Sequence, residues 1–251
     1  MVTSVTLPRL AWGSPDADRH ALLVHGLGST GALMWSYGTA LAEDGWHAVA
    51  VDLRGHGTAP RTLDYSIAAY AADVAEVRAA SGSWDLVIGH SLGGAATTQA
   101  AADDPSWTRR LILVDPALHL LAHDREVVRR SQEEAFADTS VEAVRRAHPT
   151  WHPNDVELKA LSAQQASTWA VEQTNTQNPE WNVLDAVARL TVPTHVIASD
   201  PAVYSIYTGK IDDAVRAANP AITQSVVVGA GHSPHRDRPE DTVRILREVL
   251  R

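Results

Sequence analysis

Cysteine is absent from the 251 residues. That excludes disulfides, thiolate zinc sites and cysteine nucleophiles, and it frees the fold from dependence on redox compartment. Long apolar runs are missing as well. No window approaches the ~20 apolar residues needed to span a bilayer, and residues 1–9 lack both the basic start and the continuous apolar stretch of an export signal. A cytoplasmic protein without a membrane partner is the expectation. Lysine is confined to Lys159 and Lys210. Acidic side chains outnumber basic ones, 30 to 21, for a net charge of −9, which repels phosphate backbones and anionic surfaces. Nucleic acid is not an expected partner, and oligomeric state leaves no mark in the sequence.

What is present is 45% hydrophobic content, enough for one sizeable core. Short apolar runs recur at 20–24, 47–51, 86–88, 111–114, 195–198 and 225–228, and each reads as a buried parallel strand. Helical spacing fills the intervals, for example at 67–77 and 243–250, so strands and helices alternate around a sheet covered on both faces. Val5, Leu7, Leu10 and Trp12 read as an antiparallel edge hairpin, although Pro8 and the turn-like Gly13-Ser14-Pro15-Asp16 interrupt it. The alternation stops between about 117 and 190. There the chain is polar and helical at 124–137, 141–147 and 155–171, broken by His148-Pro149-Thr150-Trp151-His152-Pro153.

Chemistry concentrates around Ser91. The run Gly89-His90-Ser91-Leu92-Gly93 follows the strand segment Leu86-Val87-Ile88 and fits G-x-S-x-G, in which a serine sits on a strained turn with its hydroxyl exposed above the sheet. A serine hydroxyl needs a base within hydrogen-bond reach and a third group to orient that base. His232, in Gly229-Ala230-Gly231-His232-Ser233, follows the last strand and is the candidate base. His90 and His235 read as loop supports. An oxyanion hole requires two backbone donors. The amide of Leu92 is one, and the amide of Leu27, in His25-Gly26-Leu27-Gly28 after the first long strand, is the other. His148, His152 and Asp155 have the residue types of a metal site, but Pro149 and Pro153 break any shared helical face. No metal or cofactor is expected.

These segments, with Asp52-Leu53-Arg54-Gly55-His56-Gly57 and Gly89-His90-Ser91-Leu92-Gly93-Gly94, resemble the α/β-hydrolase superfamily over the whole chain outside 118–190. The resemblance implies an α/β fold with a mostly parallel eight-stranded sheet, a core of residues 1–117 and 191–251, and an inserted helical cap at 118–190. Serine rather than aspartate at 91 departs from haloalkane dehalogenases and epoxide hydrolases. The 52–57 run is then a structural loop beside the site. For the triad acid two positions stay open. Asp200 ends a strand near the commonest family position, yet the slot three residues after Ser199, where relatives usually place the acid, holds Ala202. Asp115 ends the strand after the nucleophile helix, the position used in some branches, zearalenone-type lactonases among them.

Gly26, Trp35, Trp151 and Trp169 are the candidate substrate contacts, because a cap over the sheet forms a pocket roof to which aromatics present apolar surface. The expected activity is hydrolysis of a carboxylic ester or lactone of a small, largely apolar molecule. Carbon–carbon bond hydrolysis or perhydrolysis on the same triad, or a slow-turnover small-molecule receptor, are the alternatives, since one fold serves many functions.

Overall fold

A computed structural model describes residues 3–207 and 209–251. The chain runs β1 (Arg9–Trp12), β2 (Arg19–Val24), a 3₁₀ turn (Gly31–Met34), α1 (Trp35–Glu43), β3 (Trp46–Val51), α2 (Ile67–Ala75), β4 (Leu86–His90), α3 (Leu92–Asp103) and β5 (Leu111–Val114). Five helices follow: α4 (Ala122–Ala137), α5 (Val141–Ala147), α6 (Pro153–Gln165), α7 (Thr168–Gln177) and α8 (Leu184–Arg189). The chain then returns through β6 (Thr194–Ser199), α9 (Lys210–Ala218), β7 (Thr223–Val227), α10 (Pro234–Asp237) and α11 (Pro239–Leu250).

Seven strands form one sheet among the described residues, in the order β1-β3-β2-β4-β5-β6-β7. All neighbours are parallel except β1, which pairs antiparallel with β3 along the edge. The eight strands expected become seven because the N-terminal hairpin is a single strand. Pro8 has no amide proton to give, and Val5 donates its amide to Asp73 Oδ1 at 2.7 Å instead of to a neighbouring strand. The expected helical stretch at 155–171 is likewise divided, since the Ser167 hydroxyl caps α7 by accepting from the Ala170 amide.

Period-2 alternation sorts the strands onto two cores. Leu22 and Val24 face α2 and α3, while Ala21 and Leu23 face Tyr37 and Leu41 of α1 and Ile245 and Leu246 of α11. Between β5 and β6, α8 packs against α3 and α9, and α4 packs against α6 and α7. No helix among the described residues is long and apolar enough to cross a membrane.

Register decides where the chemistry lands. Val24 pairs with Gly89, Gly89 with Leu113 and Leu113 with Val196. The carboxyl ends of β2, β4, β5 and β6 are thereby brought level, and the segments leaving them, at Gly26, Ser91, Asp115 and Asp200, gather on one edge, where ligands of open α/β sheets bind.

Candidate active site

The turn from β4 into α3 carries Ser91 at φ +52°, ψ −118°. Ser91 and Asp115, at φ +36°, are the two non-glycine residues with positive φ among the described residues, and such strain persists only where surrounding bonds over-determine it. They do so here. The Ser91 amide donates to Val114 O at 3.1 Å, and Ser91 O accepts from Ala117 N at 3.0 Å. Close approach explains the glycines. A Cβ on Gly93 would lie 2.4 Å from Val24 O and 2.5 Å from His25 O, and one on Gly26 would lie 2.9 Å from Ser91 Cβ. Because the atoms around Gly93 are backbone and cannot swing aside, Gly93→Ala is expected to cost about 2–3 kcal/mol. A urea midpoint equal to that of the parent protein would show that the turn tolerates the extra carbon.

Three side chains meet above this turn. The Ser91 hydroxyl donates to His232 Nε2 at 3.0 Å, and His232 Nδ1–H donates to Asp115 Oδ2 at 2.7 Å. Asp115 is fully buried and Ser91 nearly so, whereas the His232 side chain keeps 26% exposure toward the cavity. Asp115 also accepts from Ser199 N at 3.1 Å, from Ile206 N at 3.2 Å and from the Ser205 hydroxyl. Those donors leave its carboxylate no freedom to turn.

Asp200, the other candidate acid, is elsewhere. Its carboxylate accepts from Gly229 N and Ala202 N, each at 2.8 Å, and these amides, Gly229 foremost, hold its pKa below the usual carboxylate value. Asp200 thus ties the end of β6 to the loop that carries His232, without touching the imidazole.

The loop after β2 is held by two buried histidines. His25 Nδ1–H donates to Gly26 O at 2.7 Å while its Nε2 accepts from Leu53 N at 3.0 Å. His56 Nδ1–H donates to Arg54 O at 2.9 Å, and its Nε2 accepts from Gly28 N at 3.0 Å. Each ring must be neutral to accept at Nε2. Burial drives that state, pushing His25 down to about 3 and His56 to about 4. The 52–57 segment therefore braces the loop at 25–28, and His25 does so from inside it. The amides of Leu27 and Leu92 have no hydrogen-bond partner among the described residues, which leaves both available to a developing negative charge.

His90 and His235 pack behind His232. His90 Nε2–H donates to the His232 carbonyl at 2.9 Å, and the His90 and His235 rings meet edge to face at 4.8 Å. Burial pushes both well below the ordinary histidine value.

A cavity of about 410 Å³ opens over Ser91 and His232. Leu27 and Trp151 line it, with Val127, Val128, Ser131 and Gln132 of α4 and Val203 and Tyr204 after β6. The apolar lining expected from the sequence occupies only part of it, for Ser29, Lys159, Ser233 and Arg236 line it too. Trp151 stacks on His148 at 3.7 Å and donates its indole N–H to Asp237 at 2.6 Å. Gly26 lies beneath Ser91 and makes room for it. Trp35 and Trp169 lie outside this cavity: Trp35 donates its indole N–H to Asp155 at 2.8 Å, and Trp169 packs edge to face on Tyr65 with 45% of its surface exposed. His152 caps α6 by accepting from Asn154 N at 3.1 Å. Sequence reading missed Lys159, Arg236, Ser205 and Tyr204. The scarcity of lysine was the only signal pointing toward any of them.

Fold and site define a class, and comparison agrees with it. The chain belongs to the alpha/beta hydrolase family, whose pattern it matches over residues 21–245. The putative carbamate hydrolase RutD of Escherichia coli is 38% identical over 115 residues, covering 44% of this chain and 43% of that protein. The chain thus matches less than half the length of these curated relatives. Among solved structures, E-2-(acetamidomethylene)succinate hydrolase superimposes with a TM-score of 0.82 at 22% identity, over 97% of this chain and 94% of that one. An esterase from Exiguobacterium antarcticum does so with a TM-score of 0.80 at 16% identity, over 97% and 95% of the two chains. At these identities the shared property is the fold.

Proposed function

We propose that this protein is a serine hydrolase that cleaves a carboxylic ester or lactone of a small molecule through an acyl-enzyme. One observation carries the reading: the unbroken hydrogen-bond chain from Ser91 Oγ through His232 to Asp115, at 3.0 Å and 2.7 Å. Nucleophile and base lie within the reach that proton transfer requires, and the carboxylate fixes the tautomer that leaves Nε2 free to accept.

The steps follow from those roles. His232 Nε2 takes the Ser91 proton as Oγ attacks the carbonyl carbon, and the amides of Leu27 and Leu92 stabilise the oxyanion. The protonated imidazole, its charge balanced by Asp115, delivers the proton to the leaving oxygen as the carbon–oxygen bond breaks. Water, deprotonated by His232, then attacks the acyl-enzyme and releases acid and free serine. Residues 118–190 act as the cap in this reading, with α4 and α6 supplying the cavity wall opposite the sheet.

Rapid mixing with p-nitrophenyl acetate is expected to release about one equivalent of p-nitrophenolate per protein in a burst before the steady state, because the good leaving group makes acylation faster than the deacylation that follows. Tight ligand binding with no turnover of any ester or lactone would favour the receptor reading and overturn this one.

A further inference from the structure

Two basic side chains that form no ion pair among the described residues face the cavity, which Asp237 also lines. Lys159, one of only two lysines in the chain, reaches in from α6 and donates to Gly28 O at 2.8 Å. Arg236, on α10, is 4% exposed, and one guanidinium nitrogen donates to the Ser29 hydroxyl at 3.2 Å. Both line the space above Ser91. Among the described residues neither forms an ion pair within 4.0 Å. The Nε of Arg236 is buried with no hydrogen-bond partner. Asp155 and Asp237 offset part of the Arg236 charge, but their carboxylate oxygens accept from other donors, Asp155 from the Trp35 indole and Asp237 from the Trp151 indole and the Gly231 amide.

A lysine and an arginine on one cavity wall, neither of them in an ion pair among the described residues, form an arrangement that a bound counter-charge stabilises. The proximity of the two groups registers on Lys159. Burial first, and Arg236 second, push its pKa down to about 7. An anion bound between the two groups would relieve both. Arg236 offers the planar fork that suits a carboxylate, and its guanidinium lies 5.4 Å from the Trp151 ring centroid, which holds it in place. Ser29, Ser131, Gln132 and Ser233 add neutral polar groups around the same space. Both cations hydrogen-bond within residues 28–29, just after Leu27, so an anion held there and a carbonyl at Ser91 share one cavity.

We propose that the substrate of this site carries an ionised carboxylate besides the bond that is cleaved, and that Arg236 and Lys159 bind it. This rests on the serine-hydrolase reading for the bond broken, but not for the anion bound.

Matched pairs of substrates test it. With the carboxylate on the acyl side, p-nitrophenyl hydrogen glutarate is compared with p-nitrophenyl pentanoate; with it on the alcohol side, butyryl glycolate is compared with ethyl butyrate. In at least one pair the anionic member is expected to have a kcat/KM higher by about tenfold or more, the scale of a charge-assisted contact. Arg236→Gln and Lys159→Met should each cut that ratio by about fivefold to tenfold, and Arg236→Lys should restore part of it. Neutral substrates equal to or better than their anionic partners in both pairs would overturn the proposal, as would variants that leave the ratio untouched. Calorimetry on Ser91→Ala protein separates the two readings. Binding of glutarate, but not of neutral glutaramide, that is lost in the Ser91→Ala, Arg236→Gln double variant would uphold the anion site even if no ester were hydrolysed. Absence of any glutarate binding in a protein that turns over only neutral esters would sink the anion site and leave the hydrolase standing.

Discussion

Ser91→Ala is expected to lower kcat by roughly 10⁵ to 10⁶, the loss seen when the nucleophile of a catalytic triad is removed. That corresponds to about 7–8 kcal/mol of transition-state stabilisation at about 1.36 kcal/mol per factor of ten. The structure says why so little else should change. The Ser91 hydroxyl makes one side-chain hydrogen bond, to His232 at 3.0 Å, and the turn is held by its backbone bonds to Val114 and Ala117. Alanine keeps those backbone bonds and the same positive φ, so the urea midpoint is expected to stay near that of the parent. His232 remains held by Asp115 and by the bond from His90 to its carbonyl. Activity with p-nitrophenyl acetate, measured on protein purified free of other esterases, decides the matter. A variant that keeps more than about 1% of the parent kcat would show that Ser91 is not the attacking group, since background attack by water retains far less.

Much of this site could be read in advance because its chemistry is local in sequence. The serine turn, the glycine loop at 25–28 and the histidine after the last strand each sit directly after an apolar run, and parallel register then brings strand ends together. What could not be read is what depends on side chains meeting across the fold. Asp115-Pro116 and Asp200-Pro201 look alike, each an aspartate and a proline closing a buried strand. They part company in space. Asp115 turns into the positive-φ region and is met by donors from Ser199, Ser205 and Ile206, all supplied by the segment that also contains Asp200.

The same limit explains the tryptophans and the cations. Trp151 and Trp169, both in the helical stretch between β5 and β6, look alike in sequence, yet one lines the cavity and the other packs on Tyr65 at the surface. Lys159 sits in a polar helical stretch where solvated lysines are the rule, and only the packing of α6 against the 3₁₀ turn brings it onto Gly28. Arg236 is in a short turn whose direction is set by Pro234 and by the Ser233 carbonyl, which accepts from the Arg236 amide at 2.8 Å.

The two aspartates give the sharpest contrast. Asp115→Asn is expected to lower kcat by about 10⁴, or about 5 kcal/mol, with KM changed little. All four contacts at the Asp115 carboxylate come from donors: Ser199 N, Ser205 Oγ, Ile206 N and His232 Nδ1. An asparagine amide presents an N–H₂ to at least one of them. If its oxygen keeps Ser199 and Ser205, its nitrogen faces His232, and the imidazole must take the other tautomer, with Nε2 protonated and Nδ1 accepting. Such a ring cannot receive the Ser91 proton. Asp200→Asn meets different partners, the amides of Gly229 and Ala202 at 2.8 Å. It disturbs the anchorage of the His232 loop and leaves the tautomer alone, so its loss in kcat is expected to stay within about tenfold, the scale of one charge-assisted hydrogen bond. Steady-state kinetics of both variants on one ester measure the difference. A large loss at Asp200 with a small one at Asp115 would reverse the assignment, and small, equal losses would mean that neither carboxylate orients the base.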